Sequence, residues 1–325
     1  MLEGKDLILA TKKYAVDERA KSWFHAISTI ILLLLAFYGA YQSFHIAIRI
    51  ASSILAGLLI VRLFVIYHDY AHNAILKDSL LARIIFSIWG LYVLAPKSIW
   101  KRSHDYHHKH NSKLYSSSIG SFPIVTKEKF LTLNKTERTI YLFVRHPLTI
   151  IFGYFTAFIY GMCIMSFANS PSKHWDSLVA LIFHFSIGAI AFMTFGWLGF
   201  LLGFLIPSMI GSGIGSYLFY AQHNFPTATF DDKEGWTYIG AALKSSSFMK
   251  MSGIMHWFTA NIGYHHIHHA NARIPFYRLP EVYDAFPEFQ HPKTTSLSPV
   301  EIFRCLRLKV WDPQQNKMIG FSEMK

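Results

Sequence analysis

Long apolar runs alternate along this chain with polar stretches rich in lysine, arginine and histidine. The first run covers about 24–42, through Ile31-Leu-Leu-Leu-Leu35, and the second about 47–67, with Gln42-Ser43 as the polar break. Roughly 20 apolar residues in a helix cross a bilayer core, so these runs predict a tight helical hairpin. Arg62 sits near its inner end, where its long side chain can reach the interface. A shorter run, about 80–95, is closed by Pro96, and 97–147 is polar and basic. A third span is predicted at about 148–167 and a fourth at about 177–203, stopping near Pro207. Ala168-Asn-Ser-Pro-Ser-Lys-His-Trp175 reads as the turn between them. Residues 208–222, with Gly211, Gly213 and Gly215, read as an interfacial helix, as do 80–95. Everything after 222 is polar enough to be soluble.

These elements predict an all-α integral membrane protein, a single domain over 1–325. It has about four transmembrane helices in two hairpins, two interfacial helices, and a cytosolic helical cap from 68–147 and 223–325. Within the cap, Ser298-Pro299-Val300-Glu301 is a capping-box signature with proline at the first helical position. Ile302, Phe303, Leu306 and Val310 follow at helical spacing. There is no internal repeat and no low-complexity segment.

Composition supports a membrane chain: 52% of residues are hydrophobic and 15% charged, against about 25% charged in soluble domains. The net charge of +12 raises nucleic acid as a partner, but its placement points elsewhere. The inner segments 1–22, 68–147 and 223–325 hold 5, 12 and 11 of the 31 lysines and arginines, while the outer turns hold only Arg49 and Lys173. That asymmetry is the positive-inside pattern, with both termini in the cytoplasm and no nucleic acid partner. The charged first 22 residues do not resemble a secretory signal. Cys163 lies in an apolar run and Cys305 in the polar tail, so no disulfide is expected.

The chemistry lies in histidines at the inner ends of the apolar runs. His68 and His72 are four apart and share one helix face. His104, His107 and His108 follow the i, i+3, i+4 pattern, and His265, His268 and His269 repeat it. One metal ion takes about four to six ligands, so with His223 this set implies two ions. Crossing of 80–95 would separate the first two clusters, which is why that run is read as interfacial. The zinc-hydrolase motif H-E-x-x-H is absent, and so is a pair of Glu-x-x-His motifs like those of soluble di-iron proteins. Haem needs one or two axial histidines. Copper fits the ligand type, but two irons account best for so many imidazoles. Asp69 and Asp105 each follow a ligand histidine and are candidates to hold a ligand's second ring N–H. Neighbours on a helix do not share a face, so such a bond is expected to reach another helix. Asn261, four before His265, is a candidate to hold a metal-bound water or to cap a turn. His110 and His266 are outer-shell or solvated candidates.

The clusters H-D-x-x-H, H-D-x-H-H and H-x-x-H-H resemble the histidine boxes of membrane-bound fatty acid desaturases. Leu218-Phe-Tyr-Ala-Gln-His-Asn-Phe225 is similar to the segment that supplies an additional histidine in acyl-lipid desaturases. Trp257-Phe-Thr-Ala-Asn-Ile-Gly-Tyr-His-His-Ile-His-His269 is similar to their third-box region. The likeness spans about 65–321. It implies a di-iron enzyme that removes two hydrogens from a fatty acyl chain, using O2 and two electrons. The implied ligands are His68, His72, His104, His107, His108, His223, His265, His268 and His269. Phe219 stands where acyl-CoA desaturases carry an asparagine, which fits the acyl-lipid branch better. No cytochrome b5-like segment is recognisable, so the implied donor is separate: ferredoxin, flavodoxin or cytochrome b5. The basic residues Lys97, Lys101, Arg102 and Lys109 offer an acidic carrier a landing site, or are plain positive-inside charge. The substrate implied is a membrane lipid's acyl chain, and the host a bacterial inner membrane or, alternatively, the endoplasmic reticulum. A hydroxylase or ketolase acting on a fatty acid, sphingolipid or carotenoid shares this ligand pattern. A metal transporter would need ionisable residues in its spans, and the predicted spans hold no Asp or Glu.

Overall fold

The computed structural model describes residues 2–114 and 122–324. Helices α1 (Arg19–Tyr41) and α2 (Ile46–Ala71) are long and apolar enough to cross a membrane. They run antiparallel, with Gly39 lying against Ser52 and Arg49 Nε donating to the Ala40 carbonyl at 3.0 Å. Arg62 does not reach for water as expected. It is buried, donates to Thr29 Oγ1 at 3.0 Å and to the Trp257 carbonyl, and lies 4.0 Å from the Trp257 ring centre. Internal acceptors thus replace the solvent it would otherwise seek.

Helix α3 (Leu80–Tyr92) is capped by Ser79, whose hydroxyl accepts from Ala82 N. It meets α4 (Lys97–Lys109) at an angle of 91°. Pro96 lies at this junction as the residue before α4, where a missing N–H costs nothing. Tyr92 packs among the membrane helices, 6.4 Å from the Phe37 ring and 5.7 Å from the His184 ring. The bend brings the histidines of α4 up to those of α2, so the first two clusters lie together.

The second hairpin also differs from expectation. Residues 175–221 are helical almost throughout and would extend about 70 Å if straight. Yet the rings of His184 and Phe204 are 4.7 Å apart, and those of Phe192 and Phe200 are 6.4 Å apart. The chain reverses at Gly196, with φ 67° and ψ −171°, a conformation open essentially to glycine alone. Pieces of helix over 147–169, here α5, precede two limbs, α6 (175–195) and α7 (197–221). The hairpin of spans 148–167 and 177–203 is therefore replaced by α6 and α7. The segment 208–222, read as interfacial, is mostly the second limb. Pro207 does not stop it, because a wider π turn at Leu201–Leu205 precedes the helix Ile206–Ala221 and proline sits in its first turn.

α7 packs along α2 through glycine. A Cβ on Gly57 would lie 2.6 Å from Ile210, and one on Gly211 would lie 2.6 Å from Ile60. At the far end Tyr41 stacks on Phe195 with centroids 4.5 Å apart. At the other end Ser98 of α4 donates through N and Oγ to the Asp176 carboxylate at 3.0 and 2.5 Å. The 168–175 turn therefore lies beside α4, the helix carrying His104. α5 lies across the mouth of the hairpin: Gly153 abuts Ser216 of α7, and Ser177 Oγ of α6 donates to the Met162 carbonyl at 3.5 Å.

The cap is not purely helical. Phe248–Lys250 pairs in parallel with Thr294–Ser296, and Leu308–Asp312 pairs antiparallel with Lys317–Gly320. The alternation in Leu308-Lys-Val-Trp-Asp312 suits a strand: Val310 and Ile319 are fully buried against Phe130 and Tyr141. The predicted helix Pro299–Arg307 forms, with Ser298 Oγ accepting from Glu301 N at 3.3 Å. Both cysteines are buried and free.

Candidate metal centre

α2 ends in the turn that carries His68 and His72. α4 carries His104, His107 and His108, and His265–Ala270 (α8) carries His265, His268 and His269. His223 follows α7. α8 starts after a left-handed pair, Ala260 (φ 43°) and Asn261 (φ 56°), which turns the chain into the cluster. All nine side chains predicted as ligands meet here, in two groups. His68, His72, His104, His108 and His268 form one, and His107, His223, His265 and His269 the other. Within each group the ring nitrogens lie within 4.8 Å of one another. The i, i+4 pairs stay together, while His107 and His268 cross to the opposite group. Both triplets thus hold the two groups side by side.

Neighbouring imidazoles do not satisfy one another. His104 Nε2 is 2.9 Å from His72 Nε2 and 3.1 Å from His108 Nε2, and His108 Nε2 is 3.1 Å from His268 Nε2. In the second group His223 Nε2 is 3.1 Å from His107 Nε2 and 2.9 Å from His265 Nε2, which is 3.1 Å from His269 Nε2. A neutral imidazole nitrogen carries one hydrogen or one lone pair, so it cannot bond two such neighbours at once. Ligands at right angles around an ion, with bonds of about 2.1 Å, have nitrogens about 3 Å apart. The observed spacing is that of nitrogens converging on a common centre, so the donor set fits a metal.

Tautomers agree where a second partner is present. His223 Nδ1–H donates to the Ser245 carbonyl at 3.1 Å, which leaves the Nε2 lone pair facing the group. His68 Nδ1 lies 3.1 Å from Asp69 Oδ1, and the other Asp69 oxygen accepts from Phe276 N at 2.7 Å. Asp69 therefore bonds its own neighbour rather than a histidine of another helix, because Nδ1 lies close to the backbone. Burial pushes the imidazoles of His265, His268 and His269 well below their ordinary value, with nearby histidines adding to the effect. Burial also lowers His223 to about 4, against an opposing pull from the Ser245 carbonyl. These rings are neutral at neutral pH, the form that binds metal.

Two candidates lie apart from the cluster's ligands. Asp105 is half-buried and pairs with Lys101 at 2.8 Å, the ordinary i, i+4 contact. Asn261 shapes a turn, its amide donating to the Phe276 carbonyl at 3.2 Å. Asp69 and Asn261 together hold both backbone polar groups of Phe276, its N–H and its carbonyl. His266 is fully buried but joins neither group: its Nε2 lies 3.2 Å from the Phe289 carbonyl. His110 stacks on Tyr106 with centroids 3.9 Å apart. Trp100, which the spacing argument passed over, stacks 4.8 Å from His104 at 11°. Phe219 lies 5.0 Å from the His107 ring, so apolar surface borders the second group there.

Residues 44–298 match the fatty acid desaturase family profile. The chain belongs to the fatty acid desaturase family. A fatty acid desaturase of Bacillus subtilis (strain 168) is 27% identical over 331 residues, covering 99% of this chain and 92% of its own length. An sn-1 oleoyl-lipid 12-desaturase of Anabaena variabilis is 23% identical, covering 88% of this chain and 82% of its own. An sn-1 acyl-lipid omega-3 desaturase (ferredoxin) of Nostoc sp. (strain 36) is 23% identical over 71% of this chain and 65% of its own. Membership of this family makes the protein an oxidoreductase. All the histidines just described fall within the matched segment.

Proposed function

We propose that this desaturase introduces a double bond into the acyl chain of a membrane lipid, using two irons, O2 and electrons from a separate carrier such as ferredoxin. The observation that carries the reading is the pair of adjacent, buried, nitrogen-only groups at the ends of apolar helices. When bound there, iron supplies the O2 activation needed to remove hydrogen from an unactivated C–H bond. The chain's own residues do the rest. His68, His72, His104, His108 and His268 would hold one ion, and His107, His223, His265 and His269 the other. Ser245 and Asp69 fix the ring orientation of His223 and His68. On the membrane side Trp100 lies 5.0 Å from Phe64, which is 6.2 Å from Phe158. This aromatic wall keeps water from the cluster and offers an acyl chain an apolar approach.

The acyl-lipid assignment rests on the activities of the Anabaena and Nostoc relatives and on Phe219. The Nostoc relative also motivates the carrier. The test is expression in a host with a compatible donor, followed by fatty-acid profiling of total lipid by gas chromatography–mass spectrometry. A new unsaturated species should be absent with His107→Ala and with His268→Ala. Its persistence in either variant would refute the proposed site.

A further inference from the structure

The second group contains one ligand, His223, that does not come from an H-x-x-H-H or H-x-x-x-H helix, and its backbone is held in an unusual way. Gln222 and Asn224, on either side, are both buried at 1% exposure. Gln222 Nε2 donates to the Ile262 carbonyl at 2.8 Å, and Asn224 Nδ2 donates to the Cys305 carbonyl at 2.8 Å. The remaining Asn224 oxygen accepts from Arg145 Nη2.

Arg145 is fully buried, and among the described residues the four acceptors of its guanidinium are all neutral, while Lys309 Nζ donates to its backbone carbonyl at 2.6 Å. Nη1 donates to the Pro123 carbonyl at 2.7 Å, while Nη2 also donates to Tyr220 Oη at 3.2 Å and to the Leu308 carbonyl at 3.3 Å. Burying a guanidinium without a carboxylate is costly, and neutral acceptors repay only part of that cost. Four acceptors on three segments converge on this one fork, and one of them is the side chain next to His223. A planar guanidinium is suited to such a junction, and lysine is not.

We propose that Arg145 is a positioning residue for the second ion: through Asn224 it holds His223 in register with His107, His265 and His269. The inference rests on the two-ion reading above. It predicts a selective effect, because among the described residues none of the Arg145 acceptors bonds His68, His72, His104, His108 or His268. Removing the residue behind a metal ligand typically weakens metal binding by about 10–100-fold.

The test uses purified full-length protein in nanodiscs, reconstituted with iron-57. Iron is counted by mass spectrometry and titrated against a chelator. Arg145→Met should hold about one iron per chain, with the second bound about 10–100-fold more weakly. Its Mössbauer spectrum should match that of His223→Ala. Arg145→Lys should fall between Arg145→Met and the parent, which keeps the test alive if the methionine variant does not fold. Val310→Ala loosens the same corner of the cap without removing any Arg145 bond, and it should melt lower yet keep both irons. Parallel iron loss in Arg145→Met and Val310→Ala, or full parental affinity in Arg145→Met, would overturn the inference. A parent chain binding fewer than two irons would instead refute the two-ion reading, and this inference would fall with it.

Discussion

Replacing Asp69 tests whether the second partner of a ligand matters here. Its carboxylate is 1% exposed, with one oxygen 3.1 Å from His68 Nδ1 and the other accepting from Phe276 N. Asp69→Ala strands a buried backbone N–H, at about 1–3 kcal/mol, and removes a charge-assisted bond worth about 1.5–3 kcal/mol. The variant should lose roughly 3–5 kcal/mol of stability. Asp69→Asn separates the two effects. Its amide oxygen can still accept from Phe276 N, but its NH2 group then faces His68 and donates to Nδ1. That places the ring hydrogen on Nε2, where it blocks metal binding. Asp69→Asn should therefore stay near parental stability, within about 1 kcal/mol, yet bind iron in the first group about 10–100-fold more weakly. Thermal denaturation and chelator titration on the purified protein measure the two separately. Parental iron affinity in Asp69→Asn would refute the argument that Asp69 sets the His68 tautomer.

Three further outcomes follow from the geometry. His266→Ala should keep both irons, because its ring faces the Phe289 carbonyl, whereas His265→Ala, one residue away, should lose one; metal analysis of the pair checks this. Gly196→Ala has open space for its Cβ but a backbone that L-residues avoid, so the melting temperature should fall by an amount matching about 1–3 kcal/mol, with lipid products unchanged in position. The pH dependence follows from His223, lowered to about 4 from an ordinary 6.5. The unfolded chain takes up protons at higher pH than the folded one. Stability of the iron-free protein should therefore rise with pH between these values and be lost as pH falls through them. Iron should stay bound at roughly pH 6, where an exposed histidine site already competes with protons, and dialysis against buffers of decreasing pH would show it.

Much of the site is legible in the sequence because helical periodicity is local. Spacings of three and four place His104 with His108 and His265 with His269 before any tertiary information is needed. The crossing of His107 and His268 to opposite groups is not local, since it depends on how α4 and α8 face each other. Nor does spacing reveal that Asp69 turns to its own neighbour, or that Asp105 prefers Lys101. The hairpin of α6 and α7 was hidden for a different reason. The stretch 177–222 contains no charged residue, so hydropathy offers no place to turn, and Pro207 is a stronger apparent breaker than Gly196. What decides the turn is backbone conformation, which one glycine permits without any polar signal. Arg145 was read only as part of the inner positive charge, because its neutral partners lie on segments far apart in the chain.

Oxygen-isotope labelling tests the central claim most directly. The expressing host, or purified protein with a reduced carrier and lipid, is supplied with 18O2, and the acyl products are resolved by mass spectrometry. The account predicts an unsaturated chain that is two hydrogens lighter and free of 18O, absent with His107→Ala and His268→Ala. A hydroxylated chain carrying one 18O atom and no unsaturated product would contradict it.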